Sequence, residues 1–436
     1  MQKPYISPNT YSLWGKNDST SIQNAIDYAA KTGVNRVIIP RKNARTGESR
    51  WVISESILLP SHMTVILDNC YLVLADNSYC NFFRNANFGS HTLEEEQCDI
   101  SIRGEGYPIL DGGNPNSLAE GLDWQLSAKK KDSSGNEIDV GIRINNMILF
   151  HNVRDFVIEN LEVRNQRWHA MDFLYCRYGR IADITCKATN VIPNQDLMNL
   201  ALGCNHFVIE RLNGQSADDF VAINVLWNRI DTLLHVEGKE ADVHDVVIRD
   251  VIGTSVANGI VVLRNQDAYR IYNVEIENVL ESNMEDRNNN PYTAICLGQN
   301  GYRKEKESPM GSTRNINVTT VMSDNASAVQ TAATLQDCKL RNIRCLGGRY
   351  AICSFGTKMK NVEIDGVYVA EKHPEMPLRF IRRPYSGNPI ELGNRQRDDD
   401  YLENVEIKNV INEYGRWEVG LKAENSDTVT LEGVRL

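Results

Sequence analysis

The chain of 436 residues lacks several features that would place it quickly. No apolar run approaches the ~20 residues that a membrane-crossing helix needs. The first twenty residues do not show the basic-then-apolar order of a secretory leader. A cytoplasmic location is therefore expected, or a secreted one if a leader has been removed. There is also no basic cluster. The longest basic run is Lys129, Lys130 and Lys131, in a chain whose 47 basic and 57 acidic residues leave a net charge of -10. Such a balance makes a poor partner for nucleic acid or an anionic membrane. The ten cysteines contain no Cys-x-x-Cys pair and no Cys/His group with zinc-site spacing, so neither a metal nor a cofactor is expected. Cys176, Cys186, Cys204 and Cys353 lie in apolar strand-like runs, where a free thiol behaves as a small buried hydrophobe.

Helical periodicity is nearly absent too. Only residues 18–31 show it, with a polar capping start and apolar Ile22, Ala25, Ile26 and Ala29, and the helix should end near Gly33. Strand-like segments follow at 36–40, 51–60, 63–76 and 99–112. Residues 113–140 are polar and rich in Gly, Asn, Ser and Lys, and read as a long surface loop carrying Trp124. Paired strands around Asn-Gly turns, the signature of a β-sandwich, are scarce. The strict leucine pattern of leucine-rich repeats is missing.

What the chain does have is a repeat. Each copy holds alternating apolar residues, then an Asn, Asp or Gly step, then another apolar residue. Ile158, Ile181, Ile209, Ile248, Ile276, Val318, Leu340, Ile364, Ile407 and Leu431 are taken as equivalent positions. The shorter steps between them are 22–28 residues, and the longer ones fit a coil with an inserted loop. That period, with short strands and no helix, predicts a parallel β-helix of about ten coils, right-handed by the family resemblance given below. It forms one domain over 1–436, with the N-terminal helix capping the open end. Loop insertions are expected near 113–140, 282–314 and 370–400.

Within the repeat, one stretch concentrates carboxylates. Asp196 follows Asn194 and Gln195, and Asp218-Asp219 comes 22 residues later, before the apolar strand Phe220–Asn224. A period of that length would stack the three aspartates on one face of neighbouring coils. Paired carboxyls are the equipment for glycosidic cleavage: one donates a proton to the leaving oxygen, and the other activates water. Proximity of like charges divides their proton affinities. The same residue types also make turns.

The Asn-x-Asp motif, the Asp-Asp pair one coil later, and the approach segment 148–176 resemble the polygalacturonase family. These are glycoside hydrolases on a right-handed β-helix, within the pectin lyase-like superfamily. The resemblance covers roughly 17–280 and is strongest at 148–224. It implies an inverting hydrolysis with Asp218 as acid, and with Asp196 and Asp219 as base and water-holder. The chain departs from the family where Gly-His-Gly should follow, with His235 nearby. It departs again where an Arg-x-Lys should follow Asn258-Gly259, with apolar residues there and Arg264 three residues late.

Asn194, His235, Arg264, Trp168 and His169 are the candidate substrate-binding residues, with an oligo- or polysaccharide as the expected partner and the oligomeric state left open. Two other readings share the fold. One is a polysaccharide lyase or epimerase, which would want Ca²⁺ and a basic residue. The other is a glycan-binding β-helix without catalysis.

Overall fold

The computed structural model describes residues 4–76, 78, 80–114, 130–131, 137–138, 146–188, 194–225, 234–256, 258–265, 269–282, 293–298, 308–324, 327–332, 334–347, 350–354, 357–370, 390–393, 401–413, 420–422 and 426–434. Trp124 and most of the three expected insertions lie outside them. The chain divides into two compact units. Met1–Ala217 with Trp227–Ala241 form the first, and Asp218–Leu226 with Asp242–Leu436 form the second.

Both units are stacks of parallel coils. In the first, one sheet runs from Arg36–Pro40 through Thr64–Asp68, Gln97–Glu105, Val153–Arg164 and Arg177–Lys187 to Asn205–Ser216, every neighbour parallel. A second sheet of short strands runs Ile57–Leu59, Phe83–Asn85, Ile148–His151, Met171–Leu174, Met198–Leu200. The second unit repeats the plan. Its long strands are Val243–Ser255, Ile271–Glu281, Thr313–Ser323, Thr334–Cys345, Lys358–Val369 and Tyr401–Asn412, followed by Thr430–Glu432. Its short strands begin with Val221–Val225, Gly259–Asn265 and Thr293–Leu297.

The repeat positions expected from sequence meet in register. Ile158 pairs with Ile181, and Ile181 with Ile209. In the second unit the column runs Ile248, Ile276, Val318, Leu340, Ile364, Ile407, Leu431. All are fully buried except Leu431, which is half exposed on the last strand. Burying each such side chain contributes about 1.5–3 kcal/mol, so the columns account for much of the drive to stack.

The polar step in each copy also has a physical cause. From Val153–Arg164 to Tyr401–Asn412 each long strand bends twice, at two left-handed residues five apart, among them Asp155 and Asn160, Asp183 after Tyr178, Asp245 and Asp250, Asn273 and Asn278, Asn404 and Asn409. Asn, Asp and Gly tolerate that backbone region best, which is why they recur there. The bends hold one another through their side chains. Asn273 Nδ2 donates to Asp245 Oδ1 at 3.0 Å, and Asn315 donates to Asn273 at 3.1 Å. Asn361 donates to Asp337 at 2.8 Å and Asn404 to Asn361 at 3.2 Å. At the second bend, Asn278 donates to Asp250 at 3.0 Å. Where the chain departs from this preference, other contacts support the bend. The rings of Tyr178 and His206 lie 4.7 Å apart, and Arg211 grips Asp183 with two bonds of 2.8 Å.

The helix α1, Asp18–Thr32, sits where expected. Asn17 and Thr20 cap its start reciprocally, and Gly33 ends it with φ 72°. Its Ile22, Ala25, Ile26 and Ala29 are fully buried. Asp18, also buried, accepts from Asn43 Nδ2 and the Val52 N–H, each at 2.8 Å, and pairs with Arg45. None of the ten cysteines, all among the described residues, forms a disulfide, and nine are buried.

In the first unit, Phe156, Phe173 and Phe207 form an aromatic cluster. Phe156 stacks on Phe173 at 5.3 Å and meets Phe207 edge-on at 5.5 Å. The coil between Phe156 and Phe207 supplies Gly179 at the paired position. A Cβ there would lie 2.4 Å from the Phe156 ring and 2.9 Å from the Phe207 ring. Gly179→Ala should therefore lower stability by about 1–3 kcal/mol. The measurement is denaturant midpoint at unchanged m-value; a midpoint equal to wild type would contradict this packing.

Candidate active site

In the first unit, two successive turns lead into the short strands and carry the upstream candidates. Residues 165–170 precede Met171–Leu174, and residues 194–197 precede Met198–Leu200. The turns are stitched side by side. Gln166 Nε2 donates to the carbonyl of Gln195 at 3.0 Å, and Gln195 Nε2 donates back to the carbonyl of Gln166. The Ala170 N–H donates to the Asp196 carbonyl at 2.9 Å. This places His169 Nε2 3.6 Å from Asp196 Oδ2, both largely buried, with the Trp168 ring tilted against His169 at 5.8 Å. Asn194 adopts the left-handed conformation at the start of its turn, with φ 64°.

One residue missed by the sequence reading anchors this arrangement. Arg167 is almost fully buried, and its guanidinium donates to the carbonyls of Gly112 and Ser78 at 2.7 Å and of Ala75 at 2.9 Å. A charge so buried is tolerable because carbonyl dipoles surround it. The only sequence signal is an arginine inside an otherwise uncharged Asn-Gln-x-Trp run, and nothing local reveals its distant acceptors.

His235 belongs to the first unit and stands apart from His169 and Asp196 in its contacts. It is exposed, its Nδ1 lies 3.2 Å from the Tyr175 hydroxyl, and its carbonyl lies 3.0 Å from His91 Nδ1. Neighbouring residues fasten the same segment. The Leu234 carbonyl meets His151 Nε2 at 2.7 Å, and Lys239 reaches Glu96 at 2.6 Å.

In the second unit, Asp218 and Asp219 precede the strand Val221–Val225. Their turn is tied to the next coil by Ser255, whose hydroxyl donates to the Asp218 carbonyl at 2.7 Å and accepts from the Asn258 N–H at 3.0 Å. The Phe220 N–H donates to the Gly259 carbonyl at 3.0 Å. The two aspartates have unlike surroundings. Asp218 is partly exposed, whereas Asp219 is buried. Arg264 NH1 donates to Asp219 Oδ2 at 2.5 Å, and its NH2 donates to Oδ1 at 3.2 Å. The same NH1 donates to Asn224 Oδ1 at 3.0 Å. Asn224 and Arg264 are paired in register on adjacent strands, which is how the arginine comes to face the turn. Burial raises the Asp219 carboxyl above its ordinary value; Arg264 pulls it down, and the Asp218 charge pushes it up again.

Val261 and Leu263, which occupy the places of the resembled family's Arg-x-Lys, are fully buried. Cys296, on the neighbouring strand Thr293–Leu297, is pushed up to about 12 by burial and stays a thiol.

The sequence matches no known family's profile and no curated protein. Solved structures do match. An exopolygalacturonase from Thermotoga maritima superposes with TM-score 0.58 at 15% identity, over 84% of this chain and 88% of its own. The A-module of a mannuronan C-5 epimerase from Azotobacter vinelandii gives 0.56 at 13% identity, over 99% and 98%. A polygalacturonase from Erwinia carotovora gives 0.52 at 14%, over 86% and 97%. The fold is theirs. It is a right-handed parallel β-helix, whose parallel coils the repeat predicted, and at these identities the likeness speaks for the fold alone.

Replacing Arg167 by Leu would leave the carbonyls of Leu74, Ala75, Ser78 and Gly112 facing an apolar side chain. The expected loss is at least about 2 kcal/mol of stability, since hydrogen bonds from a charged group are worth ~1.5–3 kcal/mol each. Urea unfolding of Arg167→Leu reads this directly, and a loss below half a kcal/mol (on the order of error for surface changes) would contradict the anchoring role.

Proposed function

We propose that the protein is a glycoside hydrolase that cleaves an oligo- or polysaccharide by acid–base displacement. The observation that carries this reading is the unlike pair Asp218 and Asp219: adjacent carboxyls, one partly exposed and one buried against an arginine. Hydrolysis of a glycoside needs one carboxyl that gives up a proton and another that stays ionised, and unlike environments supply that division. In this reading Asp218 protonates the departing glycosidic oxygen as the bond from the anomeric carbon breaks. A water molecule attacks the same carbon and passes its proton to a carboxylate. Asp219 takes part in holding that water, and the sequence motif assigns Asp196 to share the task. His169, beside Asp196, and Trp168 offer an imidazole and an indole for contact with a sugar ring.

Two of the solved structures that share the fold are polygalacturonases, so the fold is compatible with this reaction. The epimerase likeness keeps a second chemistry on the same fold in the test.

The experiment is incubation with a diverse oligosaccharide panel, with reducing ends, ultraviolet absorbance of unsaturated uronides, and solvent hydrogen exchange at C5 as parallel readouts. New reducing ends without the chromophore support hydrolysis. The chromophore together with new reducing ends indicates a lyase, and exchange without cleavage indicates an epimerase. Inversion, carried over from the family resemblance, is read by NMR of the first-formed anomer. For Asp218→Asn, kcat/KM should fall about 10²–10⁴-fold. Aryl glycosides with acidic leaving groups need no proton and should recover most of the loss. Full activity of Asp218→Asn on an ordinary glycan would remove Asp218 from the acid role.

A further inference from the structure

The reading above makes Asp218 the proton donor and Asp219 the carboxylate of the pair, and burial alone would divide them the other way round. A carboxyl as enclosed as Asp219, with a second negative charge beside it, favours the neutral form and would be the natural donor. The partly exposed Asp218 would then be the ionised member.

We infer that Arg264 works against this order. It is a positioning residue that fixes Asp219 as the carboxylate of the pair and leaves the transferable proton to Asp218. The inference rests on the hydrolytic reading of the same site. Its warrant is geometric. A guanidinium offers only N–H donors, in a rigid fork. Arg264 presents one prong to each oxygen of Asp219, at 2.5 and 3.2 Å, so both oxygens act as acceptors. A protonated Asp219 would turn an O–H toward an N–H. The remaining reach of the arginine is spent on Asn224 Oδ1 at 3.0 Å, which holds the fork in place.

The groups that face Asp219 from the strands of this unit are few. Arg264 and the Gly259 backbone favour its charge, and Asp218 opposes it. The Cys296 thiol, neutral in the physiological range, adds no charge. Among these groups Arg264 is therefore the one charged side chain that opposes burial and favours the carboxylate. Its position three residues beyond the place of the family's Arg-x-Lys is thereby explained: it serves an aspartate of the chain.

Three measurements on the full chain test this. In wild type, the acidic limb of the kcat/KM profile reports the carboxylate that must be ionised. Arg264→Met should move that limb upward by about 1–3 pH units, the amount an adjacent opposite charge is worth to an aspartate. Arg264→Lys, which keeps the charge without the fork, should fall between. A lower melting temperature with an unmoved limb would reduce Arg264 to a structural role and overturn the inference.

The second measurement needs no substrate. Asp219 has a folded-state affinity for protons above its unfolded value. Ionising it therefore costs stability as pH rises through that interval from about pH 4. Without Arg264 the interval extends further upward. The melting-temperature deficit of Arg264→Met should thus grow between pH 4 and 7 (about the range set by the carboxylate reference value), and a deficit that does not change with pH would overturn the inference.

The third measurement uses the carboxyls themselves and does not depend on an Arg264 variant folding. Asp219→Asn should lose activity on ordinary and activated aryl glycosides alike, whereas Asp218→Asn recovers on the activated ones. The opposite pattern makes Asp219 the donor and overturns the inference. A wild type that cleaves no glycan would end the hydrolytic reading, while the stability measurement would still report on the ion pair.

Discussion

Stacking identical bends in register is the constraint on which the rest of the molecule depends. A strand that must turn twice per coil needs two residues in the left-handed region, and their cost is met only where the residue type tolerates it or a neighbour holds it. Once Asn273 lies over Asp245 and Asn278 over Asp250, the aliphatic residues between the bends have no freedom of register. They meet their equivalents in the adjacent coil. The apolar columns and the polar columns thus specify the same alignment independently, a consistency across levels that favours one structure over its alternatives.

That double specification explains why the fold was legible in the sequence. Ten aliphatic anchors picked by pattern fall into register wherever the pairing lies inside one unit, because insertions between coils change the spacing without changing the phase. The capping helix was legible for a different reason: its start and stop signals are local. The candidate site was legible only in part. Asp196, Asp218 and Asp219 stand out because acidic residues interrupt apolar runs. The surroundings that give them character come from elsewhere in the chain. Arg167 finds its carbonyls more than fifty residues upstream, and Arg264 finds its aspartate forty-five residues away. Only strand pairing, such as Asn224 beside Arg264, brings those partners together, and no local window contains it.

The site also shows how a repetitive scaffold makes unlike environments from like parts. Each short strand is preceded by a turn, and the turns are tied laterally by side chains such as Gln166, Gln195 and Ser255. Their backbones are thereby held with little tolerance, and preorganised groups act on charge without reorganising. The difference in exposure between Asp218 and Asp219 follows from the strand itself. Adjacent residues at the foot of a strand fall on different sides of its surface, one toward solvent and one toward the neighbouring coils.

The asparagine columns bear on how long the molecule lasts. Asparagine ages by cyclising onto the next backbone nitrogen, a reaction that a bulky following residue obstructs. Asn273, Asn278, Asn315, Asn342, Asn361, Asn404 and Asn409 are each followed by valine or isoleucine. Those followers are themselves buried, which denies the backbone the turn that cyclisation requires. The residue type at many of the bends is thus placed where its characteristic chemical weakness is suppressed, and the scaffold's durability is written into the same columns as its shape.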